Sequence, residues 1–368
     1  MHIKSITFLF FLNIIMEPFF GYEFIKLDNA NCVIGNNTIK VREIGEKQPY
    51  YPYEEHEVKL STFEIGKYLI TNDEYFKFRK ETGYKTAFEK YRNSKKDLAF
   101  NNIINKNNPC VKISVFDAIA YCQWFTDKYG NETDNYRLPT NCEWEYAAMG
   151  NEKQKYPWGN SAKILSSLNT DEVTMKKDVS ITLVEEDESC FGVRNLLGGN
   201  EIVLDNYILV RENYKNLNSI NPVIFYSGKD IEFMSRGGVR YNDLSDELGL
   251  FFSSWANFDY PTAPFRMVKD SGIIFNKGEQ DECIYFINRG ISKNNQLAIY
   301  KSPNKNDSPL FITDSKDFYI LFKTTFTEDN FYRVYYKEGL DEFGRPCWHS
   351  GWIETCFVEI TNKKWYED

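Results

Sequence analysis

The stretch YRLPTNCEWEYAAMG, residues 136–150, decides how this sequence folds. The hydroxyl of Thr140 can cap the first turn of a helix, and Glu143 can cap back three residues later, so the stretch predicts a helix that stops at Gly150. Two more stretches of the same kind, TNDE and SVFD, begin at Thr71 and Ser114 and are followed by the stop signals Gly83 and Gly130. The sequence therefore predicts three capped helices.

Outside these helices the pattern changes twice. STFEIGKYLI, residues 61–70, alternates well enough to predict a strand before the first helix. After Gly150, glycine-punctuated loops separate short apolar runs, which indicates long irregular loops rather than further amphipathic helices. Residues 275–368 contain five alternating runs, which predict a small all-β barrel or sandwich. We predict an α+β protein with a 22–270 domain and a 275–368 domain.

Between Phe63 and Arg266 the motifs resemble those of the formylglycine-generating enzyme, or sulfatase-modifying factor, family. FEIGKYLITNDEYFKF is similar to the opening strand and helix, and PCVKISVFDAIAYCQWF to the second helix. YRLPTNCEWEYAAMG followed by YPWGN matches the most diagnostic stretch, and FGVRNLLGGN, SRGGVR and APFRMVKD fit later core segments. The resemblance implies an elaborated C-type-lectin-like fold with long irregular loops, in which Arg137 and Glu143 form a structural ion pair.

The resemblance also shows what this sequence lacks. Oxidase members of the family bind copper through two cysteines, five positions apart, downstream of a GGS turn. Here the turn begins at Gly237, the two positions hold Asn242 and Glu247, and no cysteine occurs between Cys190 and Cys283. A soft thiolate pair selects Cu(I), and carboxylate or amide oxygens do not replace it. The sequence therefore predicts a pseudoenzyme without catalytic cysteines and without copper.

Calcium is the second cofactor that the resemblance raises. Family members hold it partly through a loop resembling GNVWEW; here the loop is GNEIVLDNY, in which Asn200 fits but Val203 stands at the glutamate position. A hard cation needs an oxygen that valine does not have. Asn169 resembles an asparagine of the other calcium site. The prediction is at most one calcium ion, at Asn169 or Asn200; the alternative is that both side chains hydrogen-bond loop backbone.

Composition and charge exclude several functions. The chain has 53 acidic and 44 basic residues, a net charge of -9 and no basic stripe, so nucleic-acid binding is not predicted. Only His2, His56 and His349 are present, which excludes a metal centre with many histidine ligands. Aromatic residues make up 17% of the chain, a content that suits half-buried sheets and binding faces.

The N-terminus and the cysteines predict export. Lys4 precedes an apolar run that ends at Met16, and small Gly21 follows, a pattern typical of a signal peptide over residues 1–21. No cysteine lies just after the run, so no lipid anchor is predicted, and no transmembrane anchor should remain after cleavage. We expect a secreted or periplasmic protein. Because thiols pair in oxidising compartments, the eight cysteines predict disulfides, with Cys347 and Cys356 as the most obvious local pair.

The C-terminal run FYRVYYKEGLDEFGRPCWHSGWIETCFVEI, residues 331–360, is similar to bacterial SH3-like domains. An unrelated small β-domain is the alternative. An SH3-like domain would place Trp352 in its core and would imply peptide or cell-wall binding through exposed aromatics such as Tyr335, Tyr336 and Trp348.

Three functions follow for the chain as a whole. The favoured one is a non-catalytic exported binding or scaffold protein for a protein, peptide or cell-wall ligand, because the sulfur pair is missing. Its candidate binding surface is the variable loop region with Arg240, Tyr241, Asn242 and Trp255. The second is an enzyme of altered chemistry in the same cleft, with Asp243, Asp246 or Glu247 as acid or base. The third is a formylglycine-generating oxidase that draws its thiols from Cys190 or Cys283.

Overall fold

The computed structural model of the protein describes most of the chain between Tyr22 and Glu367. The described residues are 22–36, 55–86, 89–90, 106–111, 113–152, 154, 156–161, 187–197, 201–206, 220–225, 227–229, 231–237, 253–257, 263–276, 282–325, 330–340 and 346–367. The predicted signal peptide, residues 1–21, lies outside them. No helix in these segments is long and apolar enough to cross a membrane.

The three predicted helices are confirmed. They are α1 (Asn72–Thr82), α2 (Val115–Tyr129) and α3 (Asn141–Met149). Each begins with the predicted reciprocal cap. The Ser or Thr hydroxyl accepts a hydrogen bond from the backbone N–H three residues later, and the acid at that position accepts one from the backbone N–H of the Ser or Thr. Gly83, Gly130 and Gly150 follow the helices, as predicted. Among the described residues after Gly150, only two short 3-10 helices occur, Thr355–Phe357 and Trp365–Glu367.

Antiparallel strands form the rest of the framework. We call the described residues up to Asp270 the N-terminal region. Its strands are β1 (Phe24–Leu27), β2 (Ala30–Ile34), β3 (His56–Leu60), β4 (Phe63–Gly66), β5 (Asn135–Arg137), β6 (Glu201–Asn206), β7 (Gly228–Lys229), β8 (Glu232–Arg236), β9 (Ser253–Asn257) and β10 (Val268–Asp270). Nine of them build a four-stranded sheet in the order β1-β4-β10-β5, a three-stranded sheet β6-β8-β9 and the pair β2-β3, whereas β7 belongs to the sheet described next. The predicted strand before α1 is β4.

Four of the five predicted C-terminal runs are strands, and the fifth, residues 351–360, contains the end of one strand, a 3-10 helix and a further strand. The strands are β11 (Ile274–Asn276), β12 (Glu282–Ser292), β13 (Leu297–Ile299), β14 (Phe311–Thr313), β15 (Asp317–Thr324), β16 (Phe331–Leu340), β17 (Pro346–Glu354) and β18 (Val358–Thr361). Seven strands form one sheet in the order β11-β12-β15-β16-β17-β7, with β18 paired to β12; we call it the C-terminal sheet. Strand β7 comes from before the predicted boundary near residue 270. The division into two domains and the SH3-like assignment stay predictions.

One hydrophobic core joins the N-terminal region to the C-terminal sheet. Phe116 of α2 contacts Tyr319 of β15, Trp348 of β17 and Trp365 near the end of the chain, with ring centroids 4.9, 5.5 and 5.2 Å away. The backbone of Trp365 donates to the side-chain oxygen of Gln123 at 2.7 Å, and its indole donates to the carbonyl of Asn288 at 2.8 Å. The last 3-10 helix therefore links α2 to the sheet.

The predicted groove of exposed aromatics is wrong. Tyr335 and Tyr336 are completely buried, and Trp348 is 5% exposed. Successive strand residues point to opposite faces, and both faces of the C-terminal sheet are covered. Tyr335 packs in the main core, whereas Tyr336 belongs to a second apolar cluster on the other face. Trp352 is buried, as predicted.

The predicted disulfides are also wrong. All eight cysteines are present as thiols, and five of them are buried, namely Cys32, Cys110, Cys122, Cys142 and Cys283. Cys347 lies near the start of β17 and Cys356 in the 3-10 helix after its end. A strand rises about 3.3 Å per residue, so this geometry separates the two by roughly 25 Å, far beyond the Cα separation of about 6 Å that a disulfide requires.

Candidate functional site

Most of the predicted site residues lie outside the described residues. This holds for Arg240, Tyr241, Asn242, Asp243, Asp246 and Glu247 of the loop after Gly237, and for the calcium candidates Asn169 and Asn200. Trp255 is placed in the middle of β9, where its backbone is opposite Met234 of β8, but its side chain is not described. The described residues therefore do not test whether these side chains lie together, and their roles stay predictions.

The start of that loop is well defined. Gly237 follows β8 with φ +72°, a left-handed conformation that favours glycine. A Cβ atom at this position would lie 2.2 Å from the carbonyl oxygen of Leu196. Both features require glycine, so the turn that resembles the family's GGS turn is determined by close backbone packing.

Buried ion pairs crosslink elements of the N-terminal region. Arg137 binds Glu143 through two hydrogen bonds of 2.7 and 2.8 Å and binds Asp270 at 2.8 Å, which confirms the predicted Arg137–Glu143 pair. Burial opposes the charge of Arg137, but the two carboxylates outweigh it and raise its pKa. Arg236 of β8 pairs with Glu145 of α3 at 2.9 Å. These charges crosslink elements that are distant in sequence.

Arg266 also pairs with a buried carboxylate, and it binds loop backbone as well. It pairs with Glu201 at 2.5 and 2.6 Å and donates to the carbonyl oxygens of Gly66, Lys67 and Arg194. Burial raises the pKa of Glu201, and the neighbouring Arg266 counteracts this rise. Val203, at the position of the family's calcium-binding glutamate, is completely buried in β6. Glu201, two residues before that position, is therefore committed to an internal ion pair.

The thiols of the described residues do not form a metal centre. No group of three or more His, Cys, Asp or Glu side chains in this part of the chain is arranged to hold a metal ion. Burial raises the pKa of Cys32 to about 12 and raises those of Cys110 and Cys122 as well, so these thiols stay protonated. Cys283, one of the two alternative thiol sources, is buried within β12, and Cys190 is exposed.

The structure forms a different cavity, which no prediction included. Its volume is about 440 Å³, and it lies where the N-terminal region meets the C-terminal sheet. Five cations and one acid line this basic cleft: Lys90, Arg289, Lys316, Lys337, Lys363 and Asp317. These residues are scattered over more than 270 positions of the sequence. No linear signal marks them, and the charge pattern of the chain showed no basic stripe.

Arg289 forms the floor of the basic cleft. It is 4% exposed, and its guanidinium carbon lies 4.0 Å from the ring centre of Tyr319, which is opposite it on the neighbouring strand. Lys337 approaches the ring of Trp348 at 5.0 Å on the same face of the sheet. Lys90, just beyond α1, approaches the ring of Tyr84 at 5.1 Å. Aromatic faces attract cations without neutralising them, so these contacts hold positive charge in place.

Comparison with protein families matches residues 30–215 to the sulfatase-modifying factor enzyme 1-like domain. The match spans half of the chain. The chain belongs to this family. The assignment, together with the mixture of irregular sheets and three helices, confirms the predicted α+β, C-type-lectin-like fold class. The match to the sulfatase-modifying factor enzyme 1-like domain ends before Gly237, so it does not reach the loop that carries the cysteine positions.

Curated relatives include proteins named as formylglycine-generating enzymes and proteins named as inactive. The formylglycine-generating enzyme of Thermomonospora curvata is 30% identical over 138 residues, 28% of this chain and 43% of that protein. The inactive C-alpha-formylglycine-generating enzyme 2 of Bos taurus is 30% identical over 140 residues, 28% and 44% of the two chains. The chaperone protein LppX of Paenibacillus barcinonensis is 25% identical over 159 residues, which cover 34% of this chain and 50% of that protein. The matches span half or less of each relative.

Solved structures also resemble this chain. PvdO from Pseudomonas aeruginosa has 16% sequence identity and a TM-score of 0.44, with 67% of this chain and 94% of that chain covered. Treponema denticola variable protein 1 has 16% sequence identity and a TM-score of 0.45, with 68% of this chain and 95% of that chain covered. The family assignment itself rests on the sequence match.

Proposed function

We propose that this protein is a non-catalytic binding or scaffold member of the sulfatase-modifying factor enzyme 1-like family. The observation that carries the proposal is the absence of cysteine from residues 191–282, the whole segment that surrounds the Gly237 turn. Oxidation of a sulfatase cysteine by this family is expected to need a copper-binding thiolate pair there. Asn242 and Glu247 offer only amide and carboxylate oxygens, which suit hard cations. The residues present therefore do not fit copper.

The buried thiols are poor substitutes for the missing pair. Cys32, Cys110 and Cys122 are buried and protonated, and Cys283 is enclosed by β11 and β15 on either side of β12. Metal binding requires thiolates, which burial disfavours. The names of two relatives support the same proposal, since one is called inactive and another a chaperone. Export is part of the proposal and rests on the N-terminal segment alone, because the thiols do not require an oxidising compartment.

The decisive experiment is an oxidase assay on the full chain. The protein is incubated with a cysteine-containing sulfatase peptide, Cu(I), a reductant and oxygen, and peptide thiol and aldehyde are followed by mass spectrometry. We expect no aldehyde, whereas the enzyme of Thermomonospora curvata serves as the positive control. A matched variant, Asn242→Cys with Glu247→Cys, supplies two thiols at the family positions and should bind Cu(I) when the parent does not. Turnover by the unmodified chain would refute the proposal.

A further inference from the structure

We propose that residues 362–367, which we call the C-terminal segment, are a self-ligand that covers a peptide-binding socket between α2 and the C-terminal sheet. When the segment opens, the socket takes a peptide in which a basic residue directly precedes tryptophan. We define the socket by residues that contact the segment, namely Phe116, Gln123, Asp127, Asn288 and Tyr319. None of them belongs to the Gly237 turn, so the inference goes beyond the proposed function and does not depend on it.

Trp365 is bound in the manner of a peptide anchor. Its backbone N–H donates to the side chain of Gln123 at 2.7 Å, and its indole N–H donates to the carbonyl oxygen of Asn288 at 2.8 Å. The indole contacts Phe116 of α2 and Tyr319 of β15, with ring centroids 5.2 and 5.1 Å away, and it is completely buried. Buried tryptophans whose N–H is satisfied commonly dominate the energy of recognition sites.

Asp127 of α2 binds the residues on either side of this anchor. One carboxylate oxygen accepts from the ammonium group of Lys364 at 3.0 Å, and the other accepts from the hydroxyl of Tyr366 at 2.9 Å. Hydrogen bonds to a charged group are stronger than neutral ones. Because one carboxylate binds both neighbours of Trp365, the socket selects a basic residue before the tryptophan and a hydroxyl donor after it.

The hydrogen bonds that hold the segment differ from those that hold the sheet. All four described above involve a side chain, and none belongs to a strand ladder. The last ladder pair joins Thr361 to Arg289, and the exposed residues Asn362 and Lys363 follow it. Segments at the end of a chain open at lower free energy than core strands. Asn362 and Lys363 therefore form the hinge about which the segment opens while the sheet stays folded.

Opening leaves the N-terminal region joined to the C-terminal sheet. Phe116 still contacts Tyr319 and Trp348, with ring centroids 4.9 and 5.5 Å away. Elsewhere, Phe225 contacts Phe322 of β15, with ring centroids 4.5 Å apart. The socket therefore keeps its aromatic wall when the indole leaves it.

The segment competes with any external peptide because both need the same socket. A tethered ligand has an effective concentration on the order of millimolar, so it excludes a free peptide at lower concentration. Weakening the segment without altering the socket should admit the peptide. Trp365→Ala and the milder Lys364→Ala change the segment, whereas Asp127→Ala changes the socket.

Hydrogen exchange of the full chain, followed by mass spectrometry under native conditions, tests the opening. Amides of residues 362–367 should exchange at least about tenfold faster than those of β12 and β15. Asp127→Ala removes two hydrogen bonds and should speed exchange of the segment about tenfold further, with β12 and β15 unchanged within about twofold. The control Glu132→Ala, at an exposed acid just beyond α2, should change neither. Exchange of the segment no faster than that of β12 and β15 would overturn the proposal.

Calorimetry with a synthetic peptide of residues 362–368 tests the socket. The peptide should bind Trp365→Ala at least about tenfold more tightly than the unmodified chain, because the segment no longer competes. Adding Asp127→Ala should weaken that binding about tenfold. Circular dichroism checks that each variant folds. Lys364→Ala, at a half-buried side chain, should give a smaller gain of about threefold, and it decides the question if Trp365→Ala does not fold.

Three calorimetric results would overturn the proposal. They are failure of the peptide to bind a folded segment variant at millimolar concentration, equal binding of a peptide in which alanine replaces the tryptophan, and binding that Asp127→Ala leaves unchanged. Oxidase turnover together with peptide binding would refute the proposed function and leave this inference standing.

Discussion

Arg137 of the N-terminal region and Arg333 of the C-terminal sheet are both completely buried, and their surroundings differ. Arg137 contacts the carboxylates of Glu143 and Asp270, which raise its pKa against the effect of burial. Arg333 donates to the hydroxyls of Ser227 at 2.7 Å and Ser350 at 3.0 Å, and burial lowers its pKa. The N-terminal region therefore neutralises its buried charges as crosslinks, whereas the C-terminal sheet keeps cations beside hydroxyls and aromatic rings.

The same contrast extends to other arginines of the two regions. In the N-terminal region, Arg236 and Arg266 also pair with carboxylates. In the sheet, the guanidinium carbon of Arg289 lies 4.0 Å from the ring centre of Tyr319, and its guanidinium lies 3.8 Å from the exposed carboxylate of Asp317.

The largest expected effect separates the two buried arginines directly. Arg137→Met should cost about 3–5 kcal/mol of unfolding free energy, because Glu143 and Asp270 would stay buried without their cation. Arg333→Met should cost less, about 1–3 kcal/mol, because it leaves hydroxyls that are cheaper to bury. Urea denaturation measures the unfolding free energy of both variants. An equal loss in the two variants, or a larger loss in Arg333→Met, would contradict the prediction.

A second pair of variants compares backbone constraint in the two regions. Gly237→Ala forces a left-handed alanine and a 2.2 Å contact with the Leu196 carbonyl, and should cost about 3 kcal/mol. Gly339 in β16 has φ +77° but nothing within 4 Å of the added Cβ, so Gly339→Ala should cost only about 1 kcal/mol. Thermal unfolding under identical conditions gives both values. Similar losses would mean that close packing of the Gly237 turn adds nothing.

The smallest expected effect concerns the buried thiol of Cys32 in the N-terminal region. Burial raises the pKa of the Cys32 thiol from 9.0 to about 12, so above pH 9 the unfolded chain loses this proton while the folded chain keeps it. Stability should therefore fall as pH rises, by about 1 kcal/mol for this group between pH 8 and pH 10. Cys32→Ala should reduce that loss, measured by denaturation at both pH values. Cys356→Ala, at an exposed thiol, is the control; an unchanged loss in Cys32→Ala would contradict the prediction.

Local signals account for what was predicted correctly. The caps at Thr71, Ser114 and Thr140 lie within three residues of the acids that complete them, so neighbouring residues determine where each helix begins. Alternation likewise identified the C-terminal strands. It did not show that both faces of the sheet are covered, and for that reason Tyr335 and Tyr336 were wrongly expected to be exposed. The short spacing of Cys347 and Cys356 suggested a disulfide. Spacing alone does not show that an extended strand lies between the two cysteines and separates them.

By itself, the sequence determined the helix boundaries, the family and the absence of sulfur near the Gly237 turn, because each depends on residues that are adjacent or at short spacing. Only the tertiary structure decided which arginines are neutralised and where Lys90, Arg289 and Lys363 meet. Charge acts through space rather than along the chain, so its balance at a site is set by the packing of α2 and the last 3-10 helix against the C-terminal sheet.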